Sequence, residues 1–371
     1  MGLAATIDSK TYSFNKKVRS WLVTYTEYKN IRKKKSLIEK VKLTKVQEDE
    51  INAFFKEHYG RTVPLHWHRL YQSYTGVYRK DYFPEILFST KLEPMLNPYR
   101  EAELLGDKNL LPLLFCDEEN LRVPVTYASC LKGRCRDKKN VVVDYHTLCD
   151  NIANIGACVV KKTTETSSGR DVQLCNFING KDTKTGKSEK EILAEFGKNF
   201  VVQEKIEQHD SIANLNPTSV NTFRIITYIY DSKVYCCPIA LRLGRSNADR
   251  DNIHYGGICV GVDRKGVLKP YAFSEFGEVT EAHPDTHVKF NQYVVGGGKF
   301  ETVIDAVIRA HGRIAHLGIL SWDIALDRDG KGVIIEVNTT GQSAWFCQMV
   351  NGEPLFGENT GRMLELIKKK R

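Results

Sequence analysis

The chain has 371 residues, 42% of them hydrophobic and 27% charged, enough apolar material for two or three domains with cores of their own. No apolar run reaches the roughly 18 residues of a membrane span, and Met1-Gly2-Leu3-Ala4 opens no basic-then-apolar secretory signal, so a cytoplasmic protein is expected. The formal charge of +9 resides in one segment: Lys16 to Lys45 holds eleven Lys/Arg against two Glu, and the remainder holds 43 residues of each sign. A nucleic-acid-binding core would spread basic residues over its working surface, so that class is excluded. The ten cysteines form no C-x-x-C pair and several lie in apolar runs such as Ala157-Cys158-Val159-Val160, the pattern of free thiols in a reducing compartment.

In chain order, residues 16–45 read as helix, with Val18, Trp21, Leu22, Tyr25 and Tyr28 on one side and basic residues on the other. Lys33-Lys34-Lys35 interrupts the apolar side and suggests two helices. A solvated basic face and peripheral contact with an anionic membrane surface at its inner side both fit this segment. A short amphipathic helix is expected over Val46–His58, then a loop around His66-Trp67-His68. Leu110–Phe115 reads as helix or strand. Helix, strand, polar loop and strand follow at 145–155, 157–161, 163–171 and 172–177. A helix over 188–200 leads to a strand at 201–206, and strands at 222–230 and 234–243 are joined by Asp231-Ser232-Lys233. A helix at 303–316, strands at 319–326 and 333–337, and a basic helix at 363–370 complete an α+β or mixed α/β chain.

The last two strands carry the most chemistry. Asp329-Gly330 is a strong hairpin signal, and a turn centred there places Asp323 opposite Glu336. Asn338, two residues on, shares their face. Trp322, Ile324, Leu326, Val333, Ile335 and Val337 then form the opposite, core face. An exposed polar strand face is the bland alternative. Acidic residues placed directly opposite repel unless a cation joins them, so Asp323, Glu336 and Asn338 are candidate ligands for Mg²⁺ or Mn²⁺.

Asp323, then Ile335-Glu336-Val337-Asn338 and Thr339-Thr340-Gly341, resembles the C-terminal metal motif of ATP-grasp enzymes. Trp67-His68-Arg69, Asp107-Lys108-Asn109, Val159-Val160-Lys161, Asn221-Thr222-Phe223-Arg224, and Asp251-Asn252 with Gly256-Gly257 extend the resemblance to the sugar-transfer-associated ATP-grasp family over roughly residues 48 to 365. That resemblance implies two α+β lobes clasping ATP. The expected division is a helical extension at 1–45, a preceding domain at 46–125, a small lobe at 126–200 and a large lobe at 201–371.

The resemblance also implies roles. Lys161 contacts ATP phosphates, Lys108 is an upstream phosphate lysine, and the loop with Ser167, Ser168 and Gly169 folds over them. Gln203, Glu204 and Ile206 lie where adenine is read, and Asp210, or His209 beside it, reaches the ribose. Many carboxylate-amine ligases of this type carry an arginine two residues before the metal aspartate; here Ser321 stands there, so Arg224 and Arg242 are the candidate catalytic anion handlers. Asn221, Arg245, Asn252, Gly256 and Gly257 are candidate substrate contacts. The implied reaction is Mg-ATP-dependent amide formation between a carboxylate and an amine, sugar-linked, in surface polysaccharide biosynthesis. A phosphotransferase and a non-catalytic nucleotide-binding or membrane-docking protein are the rival readings.

Overall fold

The computed structural model describes residues 3–370 except 106, 116, 117, 164–171, 247, 249 and 250. The basic segment forms α1 (Leu3–Lys33) and α2 (Lys35–Lys40), and the break falls at Lys34. That lysine is buried: its Nζ lies 3.3 Å from Glu275 Oε1 and 3.3 Å from the centroid of the Trp345 ring. A Thr44–Gln47 capping box starts α3 (Lys45–Tyr59), and Gly60 in the left-handed region stops it. The stretch expected as a loop around His66 is instead α4 (His66–Thr75), with Trp67, His68, Leu70, Tyr71 and Tyr74 buried. Burial of four large side chains on one helical face outweighs the weak local signal near Pro64. Residues two apart on a helix point away from each other, so exposed His66 and buried His68 share no metal site.

The strands are β1 (Leu121–Arg122), β2 (Thr126–Leu131), β3 (Arg134–Asp137), β4 (Val142–Val143), β5 (Gly156–Lys162), β6 (Val172–Ile178), β7 (Lys181–Asp182) and β8 (Phe200–Glu204), then β9 (Thr222–Tyr230), β10 (Lys233–Cys236), β11 (Ile239–Leu243), β12 (Ile258–Val262), β13 (Leu268–Ser274), β14 (Val279–Thr280), β15 (Ile319–Leu326) and β16 (Gly332–Asn338). They build two sheets. β2 to β8 form the smaller, in the order β4-β3-β2-β8-β5-β6-β7. The larger runs β1-β16-β15-β9-β11-β12-β13-β14, with β10 beside β9. The strand expected over 234–243 is two strands, because Pro238 has no N–H for the ladder.

Alternation assigns the large sheet's faces. Phe223, Ile225, Leu241, Val260, Trp322, Ile324 and Ile334 pack beneath the helix Phe300–Gly312. On the other face Ile226, Tyr228, Ala240, Cys259 and Phe273 share one core with α3, α4 and the helices Trp345–Asn351 and Thr360–Lys369. Arg224, Arg242 and Asp323 point to this second face, in register with those core positions. No helix among the described residues is long and apolar enough to cross a membrane.

Candidate functional site

The hairpin β15–β16 pairs Asp323 with Glu336 and Ser321 with Asn338. The turn, however, is centred on Asp329: Ala325 pairs with Val333 and Leu326 with Gly332. Asp327 Oδ1 organises it by accepting from Asp329 N at 3.2 Å and Lys331 N at 2.9 Å. A bulge between Asp323 and Ile324 absorbs one residue and brings Glu336 opposite Asp323. This corrects the expected core face. Ile334 enters the core, worth about 1.5–3 kcal/mol for such a side chain. Val333 instead joins Ile206 and Ala325 in a small apolar cluster, with Ile335 and Val220 against it.

Asp323 is held by two arginines. Arg224, directly opposite on β9, donates Nε to Oδ1 at 2.8 Å, and Arg242 on β11 places Nη2 3.0 Å from Oδ2. Burial alone would raise the Asp323 pKa; the two guanidiniums hold it below the ordinary carboxylate value. Arg242 is fixed further by the Thr222 hydroxyl and by Asp251 Oδ2 at 3.4 Å. Burial lowers its pKa, but Asp251 and Asp323 more than offset this and raise it. The two arginines therefore differ. Arg242 is braced on three sides, whereas the terminal nitrogens of Arg224 meet no acceptor among the described residues, and its guanidinium carbon lies 5.3 Å from the Phe346 ring centroid.

Glu336 faces the small sheet, and Lys108 Nζ donates to its Oε1 at 2.8 Å. Lys108 sits in a 3₁₀ turn capped by Asp107. Lys161, one residue before the end of β5, is buried, while Lys162 is partly exposed, as alternation requires. Burial, reinforced by the charge of Lys108 and opposed by Glu336, lowers the Lys161 pKa to about 8. Gln203 lies on the same face of the small sheet, and its buried Oε1 has no donor. Ser167, Ser168 and Gly169 lie outside the described residues.

Between the sheets, Glu204 is committed to a bridge. Arg122 donates Nη1 to its Oε1 and Nε to Asp327 Oδ2 at 2.8 Å, tying β8 to the hairpin turn. The Glu204 N–H goes to Val125 O, and its Oε1 also accepts from Val125 N at 2.9 Å. Ile206 lies on the apolar cluster beside Ala325, and Asp210 is exposed in the first turn of the helix Asp210–Ala213.

The candidate substrate contacts divide. Asn221 is fully buried; its Oδ1 accepts from Asn216, Ser219 and Gly244, and its Nδ2 donates to Gln208 Oε1 and the Asn216 and Ser219 carbonyls. It organises the turn before β9 and has no capacity left for a ligand. Asn252 Oδ1 caps the turn Ile253–Tyr255. Gly256 follows at φ 93°, and a Cβ on Gly257 would lie 2.8 Å from Asp251 O, so both glycines are backbone requirements. Arg245 reaches Glu278 at 2.6 Å.

Sequence reasoning missed the supports. Glu93 accepts from Gly341 N at 3.1 Å and Gln342 N at 2.8 Å, and Glu85 from Ala344 N at 3.0 Å. Burial pushes Glu93 up to about 7, against those backbone donors. Asn97 stitches the end of β16 to β15 through Thr339 O at 2.7 Å and Ile319 N at 3.1 Å. Each meets a partner more than 200 residues away, which no local pattern announces.

Against this geometry, the profile of the family described as sugar-transfer associated ATP-grasp matches residues 87–362. The chain belongs to that family. Solved structures resemble the chain at low identity. An L-amino acid ligase from Bacillus licheniformis is 14% identical, covering 71% of this chain and 48% of that one, with a TM-score of 0.38. N5-carboxyaminoimidazole synthetase from Staphylococcus aureus, complexed with ADP, is 10% identical over 65% and 46%, with a TM-score of 0.35. A biotin carboxylase from Campylobacter jejuni is 13% identical over 75% and 47%, with a TM-score of 0.37. The chain thus spans about half the length of these solved relatives. Among curated proteins, none matches.

The donors present suit the divalent cation of an ATP-grasp site. Asp323, Glu336 and Asn338 offer hard oxygens on adjacent residues of one hairpin. Each Asp323 oxygen accepts one arginine and retains a second lone pair, and Asn338 turns its Nδ2 toward Ser321 O at 3.4 Å, leaving the amide oxygen for a ligand.

Proposed function

We propose that this ATP-grasp protein is a Mg-ATP-dependent carboxylate-amine ligase acting on a sugar or a sugar-linked precursor of a surface polysaccharide. The observation that carries the reading is the charge layout at the hairpin. Arg224, Arg242, Lys108 and Lys161 face Asp323, Asp251 and Glu336, an excess of cations that a polyphosphate balances. Lys108 and Lys161 take the phosphates. The apolar cluster of Ile206, Ala325, Val333 and Ile335 beside them offers a platform for adenine, and Gln203 Oε1 an acceptor for its amine. Asp210 lies toward the ribose. Asp323, Glu336 and Asn338 hold the Mg²⁺ (or Mn²⁺), which when bound neutralises charge on the phosphates.

The substrate carboxylate attacks the γ-phosphorus of ATP, the bond to the bridging oxygen breaks, and ADP leaves. The amine then attacks the acylphosphate carbonyl, loses a proton, and expels phosphate to leave an amide. The terminal nitrogens of Arg224 are placed to stabilise the oxyanion of that second step, with Arg242 holding the Arg224–Asp323 pair in position. The loop of Arg245, Asn252, Gly256 and Gly257 borders the acceptor side, and Asn221 shapes its base. Incubating the protein with Mg-ATP, uronic-acid acceptors and a panel of amines tests the reading. ADP release that requires both acid and amine, with an amide product by mass, is expected. A stable phosphoester formed from one substrate alone identifies a phosphotransferase instead.

A further inference from the structure

The basic helix α1 is seated the opposite way round from an ordinary amphipathic helix. Its inward line is Glu27, Ile31 and, at the break, Lys34: Glu27 accepts from Ser89 Oγ at 3.2 Å, Ile31 is buried, and Lys34 joins Glu275 and Trp345. Its apolar stripe faces out, with Trp21 65% exposed, Tyr25 58% and Leu22 49%, and Val18 exposed beside them. Trp21 and Tyr25 stack on each other at 6.0 Å. Toward the C-terminal end the stripe runs into exposed Lys29, Arg32 and Lys33, and Lys16 and Lys17 lie at its other end, while Arg19 turns to the Tyr99 ring of the body at 3.8 Å. From Lys16 to Lys33 the one acidic residue is Glu27, which faces inward.

We propose that this face of α1 docks on an anionic lipid bilayer, with Trp21, Leu22 and Tyr25 in the headgroup zone and the flanking Lys/Arg on lipid phosphates. Three features favour that occupant. Aromatic side chains bracketed by basic ones match both layers of an interfacial site. A second copy, parallel or antiparallel, would set basic ends against basic ends. A shallow concavity of about 570 Å³ is lined by Trp21, Tyr25, Tyr28, Lys29, Arg32 and neighbouring residues of α1 alone, so it has no second wall to clasp a peptide, whereas a planar surface needs only one. The exposed stripe from Val18 to Lys33 is about 22 Å long at the helical rise, room for several headgroups.

Trp67, Trp322 and Trp345 are all buried, so Trp21 is the exposed reporter of the chain's four tryptophans. The full chain is sedimented with phosphatidylcholine vesicles with and without phosphatidylglycerol while tryptophan emission is recorded. Binding to the anionic vesicles alone, weakened by salt, with a blue shift and loss of acrylamide quenching that vanish in Trp21→Phe, is expected. Replacing Lys29, Arg32 and Lys33 by Gln lowers partitioning on the order of a hundredfold, at roughly fivefold per charge. Trp21→Ser with Tyr25→Ser weakens it as well, and both variants keep the wild-type melting temperature because these side chains are exposed. The proposal is overturned by an unchanged emission with the protein left in the supernatant, by equal binding to neutral vesicles, or by a vesicle-free dimer that shields Trp21. None of these readings involves turnover, so they stand apart from the ligase assignment.

Discussion

The two walls of the proposed nucleotide cleft solve the problem of buried charge in opposite ways. On the large-sheet wall, Asp323, Arg224, Arg242, Asp251 and Thr222 form a lattice closed in charge, with the terminal nitrogens of Arg224 and the buried Oγ of Ser321 left without partners among the described residues. On the small-sheet wall, Lys161 is buried beside another lysine, and the Oε1 of Gln203 and the Oγ1 of Thr163 are buried without partners. The first wall is preorganised and stable without a ligand. The second would be relieved by a bound polyanion, and the expectation is that nucleotide binding and folding stability are coupled there and not on the other side.

The sharpest way to break this contrast is Asp323→Ala. It strands two buried guanidiniums and is expected to cost about 3–5 kcal/mol in urea unfolding as well as all turnover. A loss below about 1 kcal/mol would mean the lattice is not closed. Arg224→Gln comes next. It removes the donor placed for the oxyanion and is expected to lower kcat on the order of a hundredfold or more, with a smaller change in KM for ATP. Glu336→Gln sits at the border of the walls and is partly exposed. Its stability should change by no more than about 1 kcal/mol, while Mg-dependent ATP turnover is lost; turnover equal to wild type sinks the metal assignment.

Lys161→Met carries the opposite sign from Asp323→Ala. Deleting a cation that burial disfavours should raise the melting temperature of the free protein by a few degrees while abolishing the further rise produced by ADP. The pH dependence follows from the same residue. Its folded pKa of about 8 lies below the ordinary lysine value of 10.5. Between those values the unfolded chain holds a proton that the native state has released, so this residue's contribution to stability increases with pH across that window. Nucleotide phosphates favour the charged form, so ADP binding near pH 8 takes up a proton. Calorimetry in buffers of different ionisation heat reads that uptake, and Lys161→Arg should suppress it.

The difference between the walls also explains how much was legible. The Asp323–Glu336–Asn338 face could be read because a hairpin is local, and alternation places its side chains. The turn was misplaced by half a residue, and the bulge at Ile335 concealed the shift at the acidic pair while exchanging Val333 and Ile335 for Ile334 in the core. Lys161 was singled out by the family resemblance, and strand alternation separates its buried position from that of Lys162. The braces were not: Glu85, Glu93 and Asn97 behind the end of β16 act across more than 200 residues, and Thr222 and Asp251 reach Arg242 from a neighbouring strand and a loop that no periodic pattern links to it. The seating of α1 was legible in composition but not in orientation, because its contacts with the body run through Arg19, Glu27, Tyr28, Ile31 and Lys34 and leave Val18, Trp21, Leu22 and Tyr25 outside.

The anchoring of β16 bears on recombination between members of this family. Glu85, Glu93 and Asn97 hold the strand end from outside the hairpin, and Lys34 reaches Glu275 on the far side of the large sheet. A chimera that takes residues 1–100 from one parent and the hairpin from another would mismatch struts and beam together. A pair of crossovers that exchanges only the segment between β2 and β8 leaves those long-range joints within a single parent, whereas a single crossover there divides them.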